Sequence, residues 1–249
     1  MMGPLHRRGS GPRLLLLHCL GVDHRMWDIA AAGLQDAFTL LTCDFPGHGT
    51  AEPAVAPYDI AALSHQVASL LHGEGKVHVA GISLGGLVAQ HMAATRPDLV
   101  DRLVLIDTTP RYTDAMRAGW AVRAATARHD GVAALLAGLL PVWFTDPAIS
   151  AAGPAVRYVR DCFMRCDGEA YALACEALAT ADLESLSADI AARTMVICGQ
   201  DDVQSFQDAA RWLTAHIDGA RLDLIGPARH ASVLEQPEAF TRLMRSFLA

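Results

Sequence analysis

Lys76 is the only lysine among the 249 residues; the other basic side chains are arginines. Any anionic group the protein binds is therefore expected to meet a guanidinium. There is no basic stretch, and the formal net charge is −7, which argues against a nucleic-acid partner. No apolar run is long enough to cross a bilayer, and Leu14–Leu17 has the length of a buried strand. A membrane partner is not expected. The basic residues His6, Arg7 and Arg8 are not followed by a signal-type apolar region with a cleavage site, so a cytoplasmic protein is expected. The six cysteines, at positions 19, 43, 162, 166, 175 and 198, have no metal-type spacing. They read as reduced thiols used as small apolar residues, although Cys162 and Cys166 lie one helical turn apart. There is no internal repeat, no low-complexity segment beyond alanine richness, and nothing that specifies an oligomer.

What is present is apolar: 52% of the residues are hydrophobic. That supports a sizeable core in one large α/β domain with room for an inserted subdomain. The most informative stretch is Val77–Met92. Val77-His78-Val79-Ala80 reads as a strand, Gly81-Ile82-Ser83-Leu84-Gly85 as a sharp turn, and the residues from Leu84 onward as a helix. A serine at the apex of strand, turn and helix is a nucleophile elbow. Gly81 and Gly85 flank Ser83 because a Cβ at either place would collide with the neighbouring chain. The N–H of Leu84, at the helix N-terminus, is placed to help hold an oxyanion.

Around this stretch, strand patterns at Leu14–His18, Thr39–Cys43, Leu103–Asp107, Thr194–Cys198 and Arg221–Ile225 alternate with helical ones. The helical patterns are Trp27–Leu34, Ile60–Leu71, Phe206–His216 and Pro237–Leu248. This alternation predicts a mostly parallel, doubly wound α/β sheet, with the site at the carboxyl ends of its strands. Between Thr108 and about Ala191 the strand signals vanish. Helical segments at 114–128, 132–140, 149–166 and 169–180 follow, broken at Pro141, Pro147, Gly153-Pro154 and Asp167-Gly168. The expected division is a core of residues 1–109 and 190–249 with a helical cap inserted at 110–189.

A serine hydroxyl needs a base before it is a useful nucleophile. In a sheet with such an elbow the chain order is serine, acid, histidine, and the histidine follows the last strand. Among eleven histidines, His230 occupies that place. His18, His24 and His48 read as turn and loop architecture, and the helical ones as surface or core-edge residues. The carboxylate that orients the histidine has three candidates at strand ends. Asp202 is favoured, with Asp201 and Asp107 as alternatives, because triad membership is set by geometry rather than sequence position. Leu20, in the loop after the first apolar strand, is the expected second backbone oxyanion donor.

Together, Leu14–Gly21 with Met26-Trp27-Asp28, Asp44–Gly49, Gly81–Gly86, Gly199–Asp202 and Ala228–Phe240 resemble the α/β-hydrolase superfamily. Asp23–Trp27, Pro141–Thr145 and His230 followed by Glu235–Glu238 resemble, more narrowly, the 3-oxoadipate enol-lactonase group. The resemblance implies the α/β-hydrolase fold and a serine hydrolase that opens a small-molecule lactone or ester without metal or organic cofactor. A carboxylesterase, an acyl-homoserine lactonase or a C–C bond hydrolase of the same fold is the alternative. A non-catalytic ligand-binding protein of this fold is a further one, against which an intact Ser83, His230 and Asp202 weighs. His18-Cys19-Leu20-Gly21 and Asp107–Tyr112 depart from the enol-lactonase pattern, and the short N-terminus leaves little chain for the fold's first antiparallel strand. Pocket walls are expected from Trp120, Trp143, Phe144 and Met164. A substrate carboxylate would draw on Arg111, Arg117, Arg123, Arg157, Arg160 and Arg165, of which Arg111 and Arg157 are preferred.

Overall fold

The computed structural model describes all of residues 1–249. Seven strands form one sheet: β1 (His6–Gly9), β2 (Arg13–Leu17), β3 (Thr39–Cys43), β4 (Val77–Ile82), β5 (Val100–Ile106), β6 (Arg193–Gly199) and β7 (Arg221–Ile225). Their order across the sheet is β1-β3-β2-β4-β5-β6-β7. All neighbours are parallel except β1 and β3, which pair antiparallel with His6 opposite Thr42. The first antiparallel strand is thus present despite the short N-terminus. Only four residues are needed, because β1 has one neighbour and its alternating half-buried, exposed pattern asks for one covered face. The central strands differ. Leu14–Leu17 and all six residues of β4 are buried, as expected where helices cover both faces.

Eleven α-helices accompany the sheet: α1 (Asp28–Ala31), α2 (Ile60–Leu70), α3 (Leu84–Thr95), α4 (Asp114–Asp130), α5 (Leu136–Trp143), α6 (Asp146–Ala151), α7 (Pro154–Arg165), α8 (Gly168–Thr180), α9 (Gln204–His216), α10 (Ser232–Glu235) and α11 (Pro237–Leu248). Helices α4 to α8 all fall between β5 and β6, where the strand pattern is lost in the sequence. Two expectations need correction. The segment expected as one helix from Trp27 to Leu34 is a 3-10 turn at His24–Trp27 followed by the four-residue α1. Pro141 does not break its helix but lies inside α5. It has no N–H to give to the carbonyl four residues back, so the helix runs through it with one rung missing.

From β2 the chain moves to β3 on one side, and from β4 to β5 on the other. The ends of β2 and β4 therefore flank a topological switch point, where ligands bind in open α/β sheets. The loops leaving these two strands carry Leu20 and Ser83.

Candidate active site

Ser83 has φ 51° and ψ −112°, a conformation an L-residue rarely adopts, and is held there by its neighbours. Its N–H donates to the Ile106 carbonyl at 3.0 Å, and its carbonyl accepts from the Thr108 hydroxyl at 2.8 Å. A Cβ on Gly81 would lie 2.2 Å from the Gly85 carbonyl oxygen, and one on Gly85 2.3 Å from that of Leu17. Both obstacles are backbone, so neither yields. Helix α3 begins at Leu84, where the first N–H groups have no intrahelical acceptor.

The Ser83 Oγ lies 3.2 Å from His230 Nε2, and His230 Nδ1 lies 2.9 Å from Asp202 Oδ2. All three side chains are buried. The loop after β6 supplies Asp202, whose other oxygen accepts from the Val203 N–H at 2.7 Å. Asp201, its neighbour, is exposed. Asp107 is buried too, but its oxygens accept from the N–H of Gly199 and from the N–H and hydroxyl of Ser232 rather than from His230. Of the three acids, Asp202 is the one hydrogen-bonded to the imidazole. Burial alone would lower the pKa of His230, but the charge and hydrogen bond of Asp202 outweigh it, and the net shift is upward. The ring of Phe206 lies against the imidazole, centroids 4.2 Å apart.

His18 anchors the loop that carries Leu20. Its Nε2 accepts from the Phe45 N–H at 2.9 Å, so Nδ1 bears the proton and donates to the Cys19 carbonyl at 2.8 Å. Burial lowers its pKa, which keeps this neutral tautomer. His18 is loop architecture, as the sequence suggests.

Ser83 and His230 open into a cavity of about 130 Å³, lined mainly by apolar side chains. Trp120 and Trp143 line it as expected, and the Leu20 side chain lines it too. Four expected pocket residues do not. Phe144 is fully buried in the core beyond the cavity wall. Met164 is 66% exposed; on α7 the buried residues are Val156, Val159, Cys162 and Phe163, and Met164 shares the outward face with Arg157 and Arg160. Arg111 is exposed and faces Asp182 and Glu184 at 3.7 and 3.5 Å. Arg157 donates to the Ala152 carbonyl on the surface.

The cation that lines the cavity is Arg123, from the same pool. Its guanidinium carbon sits 4.6 Å from the Trp120 ring centroid and makes no ion pair. Met116, Gly119, Trp120 and Arg123 line the cavity as one stripe of α4. Their spacing is helical, so the signal lay in the sequence: Arg123 follows Trp120 by three residues. Leu139 and Val142 of α5 and the aromatic rings of Tyr171 and Phe206 complete the wall. Aromatic character alone does not separate pocket from core. A second, mostly polar cleft of about 350 Å³, lined by residues such as Asp23, Arg25, Thr50 and Cys162, contains neither Ser83 nor His230.

Fold and site define a hydrolase, and the chain belongs to the alpha/beta hydrolase family, whose model matches residues 14–243. Among its relatives, 3-oxoadipate enol-lactonase 2 of Acinetobacter baylyi is 30% identical over 95% of this chain and 88% of that protein. A pimeloyl-[acyl-carrier protein] methyl ester esterase of Chromobacterium violaceum is 29% identical, over 96% and 95% of the two chains. The crystal structure of the enol-lactonase from Burkholderia xenovorans LB400 superposes with a TM-score of 0.92 at 33% identity, covering 98% of this chain and 96% of that one.

Proposed function

We propose that this protein is a serine hydrolase that opens a small lactone or ester bearing a carboxylate, in the manner of an enol-lactonase. The observation that carries the reading is the chain of contacts Ser83–His230–Asp202 at the mouth of a small apolar cavity with one unpaired guanidinium, Arg123. Apolar walls suit a compact carbon skeleton, and a half-buried arginine without an acid suits a substrate carboxylate. Residues 110–189 act as a cap that closes this cavity over the core formed by 1–109 and 190–249.

His230 takes the Ser83 proton as Oγ attacks the carbonyl carbon. Asp202 holds the ring in the correct tautomer and stabilises the imidazolium. The negative charge moves to the carbonyl oxygen, which the N–H groups of Leu20 and Leu84 receive. Each such donor is worth about 10²–10³ in rate. As the tetrahedral intermediate collapses, His230 returns its proton to the leaving oxygen. In a lactone that oxygen remains tethered to the acyl group, so nothing departs until deacylation. Water then loses a proton to His230, attacks the acyl-enzyme and releases Ser83 with a free acid. Every proton is handled by this one imidazole.

Ser83→Ala tests the reading. The variant is expected to keep the wild-type circular dichroism spectrum and to lose both fluorophosphonate labelling and turnover of 3-oxoadipate enol-lactone. Full activity in that variant would remove Ser83 from the chemistry. Comparing the lactone with neutral p-nitrophenyl esters separates the lactonase from a general carboxylesterase, which would prefer the neutral esters.

A further inference from the structure

Asp107 is the one buried acid beside the site that has no part in the steps above. It follows β5 directly, is 1% exposed, and has φ 43°. That region is uncommon for residues other than glycine, although asparagine and aspartate enter it more readily than most, and such residues gather at functional sites. What holds the conformation is the carboxylate. One oxygen accepts from the Gly199 N–H at 2.8 Å; the other accepts from the N–H of Ser232 at 3.1 Å and its hydroxyl at 2.7 Å. Gly199 ends β6, three residues before Asp202. Ser232 begins α10, two residues after His230. One side chain therefore ties the loop of the acid to the loop of the base.

We infer that Asp107 is a positioning residue for the His230–Asp202 pair, setting the spacing of the two loops and adding a second negative charge that stabilises the imidazolium. The inference rests on reading Ser83, His230 and Asp202 as nucleophile, base and acid. A carboxylate oxygen of Asp107 lies within 4.8 Å of one of Asp202, with the Cys198 sulfur equally near. A metal ion in this trio would compete with His230 for Asp202 and with three donors for Asp107. Two anions with one imidazole account for the cluster without one. Burial and the charge of Asp202 push the Asp107 carboxyl up to about 7, while the charge of protonated His230 and the Ser232 hydroxyl pull it down, so the carboxylate form is favoured at the stage when His230 is an imidazolium. Asp107 in turn helps raise the pKa of His230, after Asp202. The titratable groups facing this pair are Asp202, Cys19 and Cys198, with Arg123 acting on His230 from α4.

A loop cap with no catalytic consequence would affect stability alone, so the test reads the pH profile. The free enzyme needs neutral His230, and its activity falls as pH drops through that group's pKa. Removing a nearby anion lowers that pKa and moves the acid limb of kcat/KM to lower pH. Asp107→Asn keeps shape and an acceptor but not the charge. On a neutral p-nitrophenyl ester we expect kcat to fall about tenfold or more at pH 7, with KM within about twofold, and the acid limb to shift down. Ser232→Ala leaves the carboxyl group in place and loses one of its bonds, so its acid limb is expected to move less than that of Asp107→Asn. Should Asp107→Asn not fold, Asp107→Ser carries the same expectation. An unmoved limb with near-wild-type kcat, or the same displacement in Ser232→Ala, overturns the inference. That failure is distinct from failure of the triad reading, which Ser83→Ala reports alone.

Discussion

If the cavity takes a carboxylate-bearing substrate, as proposed, Arg123 is the residue on which substrate choice turns. Its planar group lies over Trp120, which orients it and shields one face, and no acid neutralises it. A charge-assisted hydrogen bond from it to a substrate carboxylate would be worth about 1.5–3 kcal/mol, or roughly 10–100-fold in kcat/KM. Arg123→Leu is expected to lose that factor on an enol-lactone carrying a carboxylate and to leave a neutral p-nitrophenyl ester within about threefold. Equal losses on both would assign Arg123 to packing. Ser83 and His230 were legible in the sequence because the elbow and the chain order leave one place for each. Among Asp107, Asp201 and Asp202, all near strand ends, the sequence favours Asp202, and burial and the hydrogen bond to His230 part it from the other two in the structure. Arg123 was hidden differently. A stretch of alanines and arginines does not declare which stripe of its helix faces the serine, and Trp120 was the one marker of that face.

The end of α5 and the short helix α10 hold the His230 loop between them. The His230 and Ala231 N–H groups donate to the Val142 and Trp143 carbonyls at 3.4 and 3.0 Å. Arg229 reaches the Pro141 and Phe144 carbonyls at 2.7 and 3.0 Å. Glu235 on α10 accepts from the Thr145 N–H and hydroxyl with one oxygen and from the Arg229 N–H with the other. His230 is thus clamped to the helical segment that walls the cavity. Glu235→Ala leaves three donors short of an acceptor. It is expected to cost about 2 kcal/mol in urea unfolding and to slow fluorophosphonate labelling of Ser83 without abolishing it. Unchanged stability and labelling would show the clamp to be dispensable. The pattern Thr145, Arg229, Glu235 was partly visible as similarity to enol-lactonases, but its use as a clamp was not. It joins residues 90 apart in the chain, and α5 itself was expected to stop at Pro141. Helix signals mark where propensity fails, whereas tertiary contacts decide whether the helix continues past that point.

At the scale of the molecule, cap and core read as separate segments in sequence but share one interior. A single cluster of 75 buried residues includes Trp27 and Phe240 beside the sheet as well as Trp143 and Phe163 in the inserted segment. Trp27 packs on Phe240 with centroids 6.0 Å apart, and Trp143 on Phe163 at 5.7 Å. A cap with its own core would unfold by itself; one that shares its core with the sheet has to unfold with it. A variant retaining Trp143 as its sole tryptophan separates the cases, because its fluorescence reports the cap while far-UV circular dichroism reports the whole chain. The expected result is coincident urea transitions, with midpoints agreeing within about 0.2 M. A fluorescence transition well ahead of the dichroism would mean that the cap opens first. Substrate would then reach Ser83 through local unfolding of the cap, and Arg123 and Trp120 would be assembled around it only on closure.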